Sequence, residues 1–258
     1  MIEKALKDFH VNDYHKSTVI GELSGRDSVA AIMKAFEDDE IKYILPVATF
    51  SGTEYGDYDI IYENYKKMKA EVEERYGDNK TLYPLIEYNR EDIFALMNGR
   101  YITELIKKFE FYSPCIGCHL YFHLTKIPFA NHLSKRIISG ERESHDGKVK
   151  VNQLHETLEE YKKILGDAGF DLLMPLQNIK DGSEIEKLIG FKWDEGKEHP
   201  KCVLSGNYRD ISGKALYSSE SIKKLFKDYL EPFAQELSKY FKDEITLEIV
   251  KEKVEEII

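Results

Sequence analysis

Apolar and polar positions follow two regimes along this chain. Short, mostly apolar runs at 18–23, 43–50, 82–88, 136–140 and 171–176 read as buried strands. Stretches with apolar residues three and four apart read as helices at 29–36, 58–76, 91–109, 119–129, 154–165 and 183–189. Asn89 stands where the 91–109 helix needs an N-cap, and residues 1–16 read as a short amphipathic helix. Pro46 predicts an irregular or edge position for the second strand. Beyond residue 180 the pattern changes. Residues 191–219 are loop-rich, and 221–241 read as a helix interrupted at Pro232. Ile245, Leu247, Ile249, Val250, Val254, Ile257 and Ile258 mark a last amphipathic helix, whose apolar face either packs on the main domain or forms a homodimer contact.

Strands alternating with helices predict an α/β fold, with a parallel sheet, helices on both of its faces and a helical C-terminal extension. The chain divides into an α/β domain over 1–205 and the extension over 206–258. Ligands of such sheets sit beyond the carboxyl ends of the strands. Three small-residue loops should meet there, at 24–28, 49–53 and 139–140.

Composition narrows the classes. The 258 residues carry 37 basic and 47 acidic side chains, a net charge of −10, so nothing pulls the whole chain toward nucleic acid. No apolar run approaches a membrane span, and the first residues lack a signal-peptide core, so a cytoplasmic location is expected. Two of the three cysteines form a Cys-x-x-Cys, which favours metal or redox chemistry over a disulfide framework.

The turn Ser24-Gly25-Arg26-Asp27-Ser28 carries the first chemical signal. A strand feeding small residues into a helix start is an anion site, because the first helical N–H groups lack partners and the helix dipole favours negative charge. Ser24 and Ser28 add hydroxyls, and Gly25 allows close backbone approach. Asp27 suits a divalent cation travelling with phosphates. No Gly-Lys-Ser/Thr follows, so this is not a Walker A loop. The turn resembles the pyrophosphate loop of the PP-loop ATP pyrophosphatases, the adenine nucleotide alpha hydrolase-like superfamily, usually written S-G-G-x-D-S. Gly25, Asp27 and Ser28 match it, while Leu23 stands at its first serine and Ser24 at its first glycine. The resemblance implies ATP with its phosphates on residues 23–28, Mg²⁺ held with help from Asp27, and adenine near Thr49, Phe50, Ser51, Ser139 and Gly140. Arg142 is a candidate phosphate contact, because a guanidinium grips phosphate in two places.

Cys115 and Cys118 open a helix, and Cys202 lies in a distant loop. Three thiolates suit a [4Fe–4S] cluster with one iron free of protein ligands. Zn²⁺ held by the three with His119 or His199, a redox dithiol, and inert buried cysteines are the alternatives. One branch of the PP-loop superfamily, the [4Fe–4S]-dependent tRNA thiolation enzymes, carries a Cys-x-x-Cys and a later single cysteine. Cys115, Cys118 and Cys202 resemble that triplet in order, and Met174-Pro175-Leu176 is similar to the Pro-Leu segment before the branch's third cysteine.

The resemblance implies an ATP-dependent sulfurtransferase. An acceptor carbonyl oxygen, on a tRNA base or a small molecule, is adenylated with release of pyrophosphate. Sulfur carried on the cluster and supplied by sulfide or a carrier protein then displaces AMP. Asp27 and the three cysteines are the expected catalytic residues. The rivals are an amide-forming PP-loop ligase with structural zinc and a nucleotide-binding regulator without turnover.

Overall fold

The structure is a computed structural model that describes residue 6 and residues 9–143, 147–193 and 199–258. Its centre is a parallel sheet built from β1 (Val19–Glu22), β2 (Tyr43–Ala48), β4 (Thr81–Leu82), β5 (Ile86–Glu87), β6 (Arg136–Ile138) and β7 (Asp171–Leu173). The order is β4-β2-β1-β6-β7, and β5 also pairs with β2. Ile20 lies level with Leu45 on one side and Ile137 on the other. Alternation along each strand sends Val19, Ile44 and Ile138 to one core and Ile20, Leu45 and Ile137 to a second. The fold is therefore α/β with a buried parallel sheet, as the apolar runs require.

Two strand expectations change. β2 is interior, not an edge, although it contains Pro46. The carbonyls of Lys42, Ile44 and Ala48 all accept bonds from the β4 and β5 side. Pro46 shares their orientation, so its missing donor faces residues 83–85, between those two short strands. The 82–88 run is accordingly two strands rather than one.

Helices cover both faces. On one face α1 (Arg26–Ala35), α2 (Ile60–Tyr76) and, later in the chain, α8 (Gly182–Ile189) bury Val29, Ile32, Met68, Val72 and Ile185. The expected 91–109 helix is two, α3 (Glu91–Asn98) and α4 (Ile102–Phe109), broken after Gly99, a poor helix former. Asn89 does not cap it. Arg90 holds the cap position, and the Asn89 carboxamide oxygen accepts the Phe50 N–H at 2.8 Å. The cysteine helix starts earlier than expected, as α5 (Pro114–Leu124), with proline at its first turn. It stops before Pro128, which opens the short α6 (Ile127–Ala130). α7 is His155–Asp167. The described part of 1–16 forms a 3₁₀ turn at Val11–Asp13, and the rest of the expected helix lies largely outside the described residues.

After 206 come α9 (Ser219–Leu225), a π-helical turn (Phe226–Leu230), α10 (Glu231–Phe241) and α11 (Leu247–Ile257). The π turn falls just before Pro232, which cannot donate back along the helix. α11 buries Val250 and Val254 against this chain's own core and is tied to α4 by Lys108 Nζ on the Ile257 carbonyl (2.9 Å). No described helix is long and apolar enough to cross a membrane.

Two contacts shape the carboxyl edge of the sheet. A two-residue strand β3 (Glu54–Tyr55), read from sequence as plain loop, pairs antiparallel with β8 (Lys201–Cys202) and sets Cys202 opposite Glu54. Gly140 lies against the start of α1, where an added Cβ would stand 2.6 Å from the Ser28 nitrogen and 2.8 Å from the Asp27 carbonyl carbon. Those neighbours are backbone and cannot swing aside. Gly140→Ala is expected to lower Tm by about 2–10 °C through overpacking. A thermal melt superimposable on that of the native chain would show that the contact is looser than described.

Candidate functional site

The anion loop is braced from within. Leu23 is buried and gives its N–H to the Val47 carbonyl at 3.2 Å. The Ser28 hydroxyl accepts the Ser24 and Gly25 N–H groups at 2.9 and 3.0 Å and donates to the Gly25 carbonyl at 2.7 Å. The hydroxyl expected to meet phosphate therefore closes the turn instead. What remains for an anion is the first turn of α1 and the cations around it. Arg142, fully buried, donates from Nε to Asp27 Oδ2 at 3.1 Å, and Arg26 Nε stands 3.6 Å from Asp27 Oδ1. Lys150, which sequence reasoning passed over, joins them. Burial lowers its pKa, while the carboxylates of Asp27 and Glu141 work against that fall.

Thr49, Phe50, Ser51 and Ser139 sit at the same edge and are largely committed to holding it. Thr49 donates to the Tyr88 carbonyl at 2.8 Å, and the Phe50 carbonyl accepts the Tyr121 hydroxyl at 3.0 Å. Ser51 gives both its N–H and its hydroxyl to the Glu54 carboxylate. Ser139 gives its N–H to Leu173 at 2.9 Å.

The three cysteines come together from two directions. Cys115 and Cys118 lie one turn apart at the start of α5. Between them, Ile116 fills the core and Gly117 lies against Asn98, whose Oδ1 occupies the space a Cβ would need. That contact fixes how α5 docks. Cys202 Sγ lies 3.3 Å from the Thr53 hydroxyl and accepts the Leu204 N–H at 3.3 Å. Cys115 Sγ accepts Asn207 Nδ2–H at 3.1 Å. Burial pushes the Cys118 thiol well up, and the Glu54 carboxylate and the other two cysteines add to the rise. The Cys115 thiol is also raised by burial, with Cys202 contributing. Each of the raised thiols thus feels the third. Among the described residues no group of three or more His, Cys, Asp or Glu stands close enough to hold a metal ion as placed. His119, a candidate fourth zinc ligand, is bonded to Glu141 and Asn152, and His199 Nδ1 lies 2.6 Å from the Pro200 carbonyl oxygen.

Between loop and thiols lies a buried polar cluster absent from the sequence reading. Glu22, at the end of β1, holds His123 Nδ1 at 2.6 Å. His123 Nε2 is 3.9 Å from Glu141 Oε1, and the same carboxylate takes His119 Nδ1 and Gln153 Nε2. Burial would raise the Glu141 pKa, but His119, His123 and Gln153 together hold it down to about 2. One signal was available: His119 and His123 lie four apart, on the face of α5 that also carries Cys115. Beside them Lys126 is buried, donating to Thr49 Oγ1 (2.7 Å), Thr125 Oγ1 (3.1 Å) and the Phe122 carbonyl (3.0 Å).

Fold and site define an α/β protein with a tight strand-to-helix turn and three thiols at the carboxyl edge of a parallel sheet. No family model matches the chain. It is 41% identical over 224 residues to the uncharacterized protein MJ0009 of Methanocaldococcus jannaschii, covering 87% of this chain and 80% of that one. The chain belongs to the family of that archaeal protein. Among solved structures it is similar to NMN synthetase from Francisella tularensis, with a TM-score of 0.34 and 14% identity over 99% of this chain and 90% of that one. A likeness of that size leaves fold and function to be argued from the chain itself.

Burial lowers the Lys126 pKa to about 8, against a smaller upward pull from Glu22. Between pH 8 and about 10.5 the unfolded chain therefore holds a proton that the folded chain has lost, and stability rises with pH. Below pH 8 the full cost stands, on the order of 3 kcal/mol. In urea titrations the stability of the native chain relative to Lys126→Met should climb by that amount between pH 8 and 10.5. A flat difference would mean that Lys126 is not a buried cation.

Proposed function

We propose that this protein is an ATP-dependent sulfurtransferase of PP-loop type, forming AMP and pyrophosphate. The supporting observation is the meeting of Cys115, Cys118 and Cys202 at the sheet edge that carries the 24–28 loop, linked to it through Ser51, Thr53 and the Glu141 cluster. Phosphates rest on the first turn of α1, with Arg26, Arg142 and Lys150 supplying positive charge. Asp27, already bonded to Arg142, would help hold Mg²⁺, which would supply charge to neutralise the phosphates. An acceptor carbonyl oxygen attacks the α-phosphorus, and the P–O bond to pyrophosphate breaks. Sulfur at the thiol site attacks the activated carbon, and AMP leaves with the former carbonyl oxygen. Sulfur entering as sulfide keeps the exchange free of net oxidation or reduction. The acceptor is a tRNA base or a small molecule, and the donor is sulfide or a carrier protein.

The donor set, three thiols without a fourth protein sulfur, is that of a [4Fe–4S] cluster with one open iron. Such a cluster would supply a site for a sulfur atom, with Cys115, Cys118 and Cys202 as its ligands. The thiols as placed do not yet form a ligating group.

Anaerobic purification should give a chain whose iron and acid-labile sulfide fall by at least half in Cys202→Ser, while pyrophosphate release from ATP survives. Zinc in place of iron would favour an amide-forming ligase. ATP bound with no pyrophosphate released under any acceptor would leave a regulator.

A further inference from the structure

Cys202 reaches the other two thiols on a loop whose apolar anchors, Leu204 and Tyr208, lie beyond the cysteine. Val203 is 67% exposed, and the loop's ladder with β3 is only two residues long. The geometry supplies a second, polar fastening in Asn207. Its Nδ2 donates to Cys115 Sγ at 3.1 Å and to the Leu204 carbonyl at 2.6 Å. Its Oδ1 accepts the hydroxyl of Ser113, the fully buried residue just before α5, at 3.0 Å. Leu204 in turn gives its N–H to Cys202 Sγ at 3.3 Å, and the Cys115 thiol faces the Leu204 carbonyl at 3.8 Å. One carboxamide thus joins the start of the Cys115–Cys118 helix to the residue that holds Cys202.

We infer that Asn207 is the positioning residue of the cysteine site, fixing the Cys202 loop to the head of α5 so that three thiols from two segments present themselves as one set. It rests on the proposed function only in taking the thiols to act together. The reason for an asparagine is chemical. The position needs an acceptor for Ser113 and, on the same planar group, two donors, one for a sulfur and one for a carbonyl. Aspartate keeps the acceptor and loses both donors.

Arsenite counts converging thiols: As(OH)₃ takes three thiols, forming three As–S bonds and releasing three waters. The full chain, reduced and dialysed against chelator, is titrated with arsenite, and free thiols are counted with a chromogenic disulfide. The native chain should protect three thiols per arsenic. Asn207→Ala and Asn207→Asp should protect only two, with affinity down about tenfold or more and an unchanged thermal melt. Ser113→Ala, which cuts the same tie from the other end, should move in the same direction, and amide exchange over 202–208 should quicken in all three variants. Three thiols protected at native affinity in Asn207→Ala and Asn207→Asp would overturn the inference, as would fewer than three in the native chain. Three in the native chain, lost in the variants, with no pyrophosphate ever released from ATP, would keep this inference and remove the ATP-dependent reading.

Discussion

α5 is held to the sheet by hydrogen bonds to carboxylates as well as by apolar packing. His123 meets Glu22 at the end of β1, and His119 meets Glu141 just beyond β6. Buried carboxylates and imidazoles lose their hydration, and only mutual contact and hydrogen bonds make that tolerable. Glu141 is the buried ionised member, and stripping its partners leaves an uncompensated buried charge, which typically costs about 3–5 kcal/mol. The position of the cysteines follows from this docking. Gly117 against Asn98, and the Tyr121 hydroxyl between the Phe50 carbonyl and the Arg90 N–H (3.0 and 2.9 Å), complete the fit of α5 to its neighbours.

The result is one edge with two chemistries side by side. Arg26, Arg142 and Lys150 surround the start of α1, an environment for hard, negatively charged oxygen. The thiols, each given a hydrogen-bonding neighbour, form an environment for soft atoms. Glu141 and the two histidines stand between them, with Glu141 ionised down to about pH 2. The cluster separates the cations at the start of α1 from the thiols along the sheet edge. The Cys202 loop is held by both means, with Leu204 and Tyr208 on the core and hydrogen bonds at Asn207 and Cys202.

Some of this was legible in the residues alone, because its signals are local. Apolar runs gave the strands at 19–22, 43–48 and 136–138, and the small residues at 24–28 gave the strand-to-helix turn. Three features were hidden for a physical reason. The split of 91–109 depends on one weak helix former at Gly99, which tertiary packing was free to tolerate or break. Pro46 misleads within an interior strand, because the gap that excuses its missing N–H belongs to the partner segment 83–85. β3 and β8 have no hydrophobic period of their own and exist only as each other's partners.

The chain's own order of residues settled the α/β alternation, the place of the 24–28 turn at a strand's carboxyl end, and the cysteine spacing that puts Cys115 and Cys118 one helical turn apart. Those follow from backbone geometry within a few residues. Tertiary structure alone decided that Ser28 braces the turn, that Cys202 comes back to α5 through Asn207, and that Glu22, His119, His123 and Glu141 share one buried cluster. Those contacts join segments separated along the chain, and the hydroxyl of Ser28 finds its partners only once the turn has closed. A hydrogen bond or buried charge has no periodicity to announce it before the elements pack.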